Sequence, residues 1–118
     1  MDDLERTEVS QNKSNRGFIM RSLARGFNYS ASVRSLSNAM MSDGRIYTPD
    51  ISKLLDYLVS AGYVRFTDKK INSYTAYRND AVVQLTKEGI DLVEATIEDP
   101  GVDISVSYTH LRAHETTL

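Results

Sequence analysis

Apolar residues recur with a helical period from Arg16 onward, where Phe18, Ile19, Met20 and Leu23 make a stripe that stops at Gly26, so a first helix is expected there. The preceding residues 1–15 are polar, lack apolar periodicity beyond Leu4 and Val9, and read as a flexible lead-in. Ser30 has the chemistry of an N-cap, because its hydroxyl can accept from the unpaired amides of a first turn. The second helix then carries Val33, Leu36, Ala39 and Met40 on one face, with Arg34, Ser35, Ser37 and Asn38 on the other, as far as Ser42-Asp43-Gly44. A third helix is expected from Thr48-Pro49-Asp50, with Thr48 as cap and Pro49 supplying the first helical φ. Its apolar face is Ile51, Leu54, Leu55, Leu58 and Val59, and Gly62 takes the place just past its end.

Periodicity then changes from helical to alternating. Tyr63-Val64-Arg65-Phe66-Thr67 and Ala81-Val82-Val83-Gln84-Leu85 are rich in β-formers and read as two strands, joined by a projecting loop from Asp68 to Asp80. Thr86 caps a fourth helix with Ile90, Leu92, Val93 and Ile97 apolar, ending before Pro100-Gly101. Gly89 inside it implies a close approach of another segment.

The order of helix, helix, short link, helix, strand, loop, strand, helix predicts an α+β, mostly helical winged helix-turn-helix: a three-helix core, a two-stranded wing and a C-terminal helix over residues 16–104. A chain of 118 residues fits one such domain. Tyr29-Ser30-Ala31-Ser32, Leu54 with Leu58, Ala61-Gly62-Tyr63-Val64, Leu85-Thr86-Lys87-Glu88-Gly89 and Pro100-Gly101-Val102 together resemble a family of small Mu-like phage proteins often labelled as ArsR-like transcriptional regulators. The resemblance covers about Arg16 to Asp103 and implies a phage or prophage origin and the winged-helix fold. The segment 68–80 is longer than the tight wing of that family. Residues 105–118 change character, have no clear period, and resemble the translation of sequencing-adapter sequence; they are expected to be a disordered or artefactual tail.

Charge sharpens the picture once it is divided along the chain. The net charge is −2 overall, but residues 18–80 hold nine bases against five acids and residues 81–118 only two against seven. The middle of the chain therefore points to duplex DNA as partner. The exposed face of the third helix is expected to bring Thr48, Ser52, Lys53 and Tyr57 to phosphates or base edges. Lys69, Lys70 and Arg78 on the wing would meet the backbone, flanked by Arg34 and Arg45. Structural readings stand beside these: Tyr57 also fits a partly buried rim, Lys69-Lys70 also fits a solvated loop, and Asp50 and Asp56 on the same helix would face phosphates unfavourably.

The alternative is a non-catalytic protein-interaction or assembly module that reuses the fold. The acidic helix from Lys87 to Glu98 could serve a homodimer, although its apolar stripe also suits the core. An enzyme is not expected, because no phosphate-cradling glycine loop, activated nucleophile or paired carboxylates can be found. No cofactor and no metal is expected either: cysteine is absent, which removes thiolate chemistry and the cysteine ligands of many metal sensors, and His110 and His114 alone do not make a site. No run is apolar enough for a bilayer, and Asp2-Asp3 stand where a signal peptide needs positive charge, so a cytoplasmic location is expected.

Overall fold

The polar lead-in proves to be helical. In the computed structural model, which describes residues 2–104, the first helix α1 runs from Asp3 to Arg25 and is 23 residues long. The local reason is a capping box at its start: the Asp2 carboxylate accepts from the Glu5 amide at 2.8 Å, and the Glu5 carboxylate accepts from the Asp2 amide at 3.1 Å. This corrects the expectation of an irregular segment over residues 1–15. Only the second half of α1 is packed, through Asn15, Gly17, Ile19, Met20 and Leu23. The tail expected over residues 105–118 lies outside the described residues.

A short 3-10 turn, Phe27–Tyr29, leads into a strand β1, Ser30–Ser32, where the sequence suggested only a cap. The cap of helix α2, Val33–Ser42, is therefore Ser32, whose hydroxyl accepts from the Ser35 amide at 3.1 Å. Ser37 rather than Ala39 joins the buried face of α2, and its hydroxyl donates to the Pro49 carbonyl at 2.8 Å, which satisfies the buried oxygen. Helix α3 spans Ser52–Ser60, so Thr48 does not cap it and Pro49 does not open it. Asp50 instead closes the turn before the helix, accepting from the Ser52 amide at 2.9 Å and the Ser52 hydroxyl at 2.7 Å. The expected end does hold: Gly62 takes φ +84°, and the amides of Gly62 and Tyr63 return to Val59 and Leu58 at 3.0 Å, a Schellman closure.

Strands β2, Val64–Phe66, and β3, Val82–Leu85, pair as anticipated, Val64 opposite Leu85 and Phe66 opposite Val83. On its other side β3 pairs with β1, Ser30 opposite Gln84 and Ser32 opposite Val82, giving an antiparallel sheet in the order β1-β3-β2. Val64, Phe66, Val83 and Leu85 alternate inward onto Ile19, Leu23, Leu36, Leu55 and Leu58, and this single core joins helices to sheet. Helix α4, Lys87–Val93, starts at Thr86 as expected and stops well before Glu98, because Ala95 adopts φ +63° and turns the chain. The result is an α+β molecule, about half helical among the described residues.

Candidate nucleic-acid interface

The outer face of α3 presents Ser52, Lys53, Asp56, Tyr57 and Ser60. Lys53 is exposed and in no ion pair among the described residues. Ser52 is already engaged by Asp50, and the hydrogen bond from its hydroxyl holds the Asp50 carboxyl below the usual range. Tyr57 is half-buried, not displayed: the Arg16 guanidinium from α1 lies 3.6 Å from its ring centroid, and a Cβ on Gly101 would overlap its hydroxyl. Thr48 sits on the exposed connection between α2 and α3, next to Tyr47, which is 93% exposed.

Residues 68–80 do not project. They form consecutive turns folded back on the body, with Ala76 fully buried and the Ser73 hydroxyl donating to Asp56 of α3 at 3.5 Å. Arg34 fastens the far end of the segment, Nε donating to the Tyr77 carbonyl at 3.0 Å and Nη2 to the Arg78 carbonyl at 3.1 Å. Arg45 is likewise used within the fold, donating to Asp43 at 2.7 Å and Ser14 at 3.0 Å, with its guanidinium 4.5 Å from the Phe18 ring centroid. Lys69, Lys70 and Arg78 have exposed side chains in no ion pair among the described residues.

The nine expected site residues thus divide. Lys53, Lys69, Lys70 and Arg78 remain open cations and Thr48 an exposed hydroxyl, whereas Arg34, Arg45, Ser52 and Tyr57 are occupied by neighbours. Folding brings further residues to two of them, Lys53 and Tyr57. Arg16, Asp56 and Tyr74 join Lys53, Tyr57 and Ser60 around an open concavity of about 600 Å³. Tyr74 is 66% exposed there. Its aromatic position in a polar loop was the available signal. Arg16 gave none, because its partners lie far along the chain: Nη1 donates to the Gly101 carbonyl at 3.0 Å. Its Nε is buried with no acceptor among the described residues, a cost of about 1–3 kcal/mol that the stacked Tyr57 ring offsets in part. Exposed cations beside an aromatic ring can hold a polyanion through phosphates and stacking. No family model matches the chain, and no curated protein or solved structure matches it either.

Proposed function

We propose that the chain is a winged-helix DNA-binding protein, a transcriptional regulator of phage type that contacts duplex DNA through α3 and the segment 68–80. The observation that carries this reading is the open cation of Lys53 on α3, sharing one concavity with Tyr74 of a segment that also bears Lys69, Lys70 and Arg78, none in an ion pair among the described residues. The sheet order β1-β3-β2, with β1 before α2 and the hairpin after α3, supports the winged-helix assignment. Neither a cofactor nor a metal enters the mechanism: lysines displace counterions from phosphates, α3 brings Lys53 toward the groove, and the connection before it brings Thr48.

Fluorescence anisotropy of the full chain with labelled random-sequence duplex at two salt concentrations tests it. Binding in the range of about 10⁻⁴–10⁻⁶ M that weakens steeply with salt is expected, with Lys53→Ala weaker and Lys69→Ala/Lys70→Ala lowering the salt slope by about 1 for each phosphate no longer neutralised. Arg45→Ala should leave the slope alone. Unchanged slope and affinity in the lysine variants would remove this surface. The second reading, a protein-interaction or assembly module, is favoured by Phe27, which is 89% exposed on the turn before β1 and has no packing role there.

A further inference from the structure

The residues after α4 turn back across α1 and leave a groove of about 590 Å³ between the two. Its floor is apolar: Leu92 and Val93 from α4, Ile97, Val102 and Ile104 from the returning chain. Ile97 is 38% exposed, so the turn at Ala95 presents an isoleucine to solvent where the sequence pattern placed it in the core. The groove is preformed, because the returning chain is fastened along its length. Tyr63 donates to Asp99 at 2.6 Å, Arg16 and Arg21 donate to the carbonyls of Gly101 and Asp103, and the Asp103 amide donates to the Lys13 carbonyl at 3.1 Å.

Charge decides what fits. Among the residues that line the groove, the acids Glu98, Asp99 and Asp103 stand against a single base, Lys13. Glu98 is exposed and in no ion pair among the described residues. A polyanion is repelled by such a rim. A second copy offering its own groove or the acidic start of its α1 would bring like charges together. An apolar floor under an acidic rim matches the opposite pattern.

We propose that this groove docks a cationic amphipathic segment of a protein partner, its apolar side chains on Ile97, Val93 and Ile104 and its lysines or arginines against Glu98. The groove shares no lining residue with the concavity at Lys53, and the proposal does not depend on the nucleic-acid reading. Preorganisation favours it, since little ordering is left to be done on this side of the complex.

The test uses the full chain and three fluorescein-labelled peptides: a leucine–lysine helix with leucines at i, i+3, i+4 and i+7, the same helix with glutamate for lysine, and a permuted leucine–lysine peptide without an apolar face. One-to-one binding of the first, at least tenfold tighter than either other and weakened by salt, supports the proposal. So do amide shift changes confined to residues 10–13 and 92–104. Ile97→Lys should weaken that binding at least tenfold and Glu98→Lys at least threefold, with circular dichroism and melting unchanged. Equal binding of the permuted peptide, or no loss in Ile97→Lys, overturns it. Self-association in sedimentation that Ile97→Lys abolishes assigns the groove to a second copy and also overturns it. Binding that appears only when residues 105–118 are replaced by a glycine–serine stretch of equal length assigns the groove to the chain's own tail, and the proposal falls in that case too.

Discussion

Two irregular segments, residues 68–80 and 94–104, are fastened to the helices by the same device and end up with opposite character. In each, an arginine on a distant helix donates to backbone carbonyls: Arg34 to Tyr77 and Arg78, Arg16 and Arg21 to Gly101 and Asp103. The guanidinium fork suits this, since several donors in one plane can meet carbonyls that have no strand or helix partner. The first segment then displays lysines beside α3, and the second displays carboxylates beside an apolar groove. The lesson concerns charge counting: arginines near a surface can be consumed in holding loops, and the charges left for a ligand are those with no such duty. Arg34 and Arg45 were natural members of a DNA-binding set by position, and the fold uses both internally.

The body on which both segments are mounted is the place for the largest effect. Leu55 is fully buried, so Leu55→Ala should cost about 2–5 kcal/mol in urea denaturation; a loss below about 1 kcal/mol would show that both segments rest on a different floor. Next comes Gly17, where a Cβ would overlap the carbonyl oxygen of Asp103. Gly17→Ala should lose about 1–3 kcal/mol by this overpacking, set against about 1 kcal/mol of helix propensity gained, and free the Asp103 amide to exchange. A variant as stable as the parent with that amide still protected would separate the 94–104 segment from α1.

Tyr63 and Asp99 give the second segment a pH signature. The Tyr63 hydroxyl donates to Asp99, which holds the Asp99 carboxyl below its usual range and pushes the Tyr63 hydroxyl up to about 12. A depressed carboxyl contributes stability above its unfolded value of about 3.9, lost as pH falls through the folded value. A raised phenol contributes stability below its unfolded value of about 10, lost as pH rises toward 12. Tyr63→Phe should therefore cost about 1–2 kcal/mol between roughly pH 5 and 9, and the difference from the parent should shrink outside that window. Equal penalties at pH 7 and pH 3 would deny the pair this role. The smallest effect belongs to Arg34→Ala, since Arg34 is exposed and its bonds compete with water: under about 1 kcal/mol globally, with faster exchange of the Ala81 amide that closes on Ala76 at 3.0 Å. Unaltered exchange there would mean that the Arg34 guanidinium does not hold the segment.

Amphipathic spacing determined which residues of α2 and α3 face inward, with Ser37 in place of Ala39 as the exception, and the alternation at 64–66 and 82–85 determined the hairpin strands and their inner face. Gly62 and Thr86 set the end of α3 and the start of α4 through bonds reaching no more than five residues. These features are local, so they are written in neighbouring positions. The capping box of Asp2 and Glu5 was equally local and was hidden only by the lack of an apolar face over residues 3–12. Strand β1 was different in kind: Ser30-Ala31-Ser32 has no pattern of its own and becomes a strand because β3 offers it an edge. The same holds for the sites. That Lys53, Lys69, Lys70 and Arg78 are charged was plain from their identity, but that Arg34 and Arg16 are not free to bind a ligand follows from partners 43 and 85 residues away. Only the tertiary structure decided that division, because the bonds that occupy a side chain depend on which backbone carbonyls folding leaves without a partner.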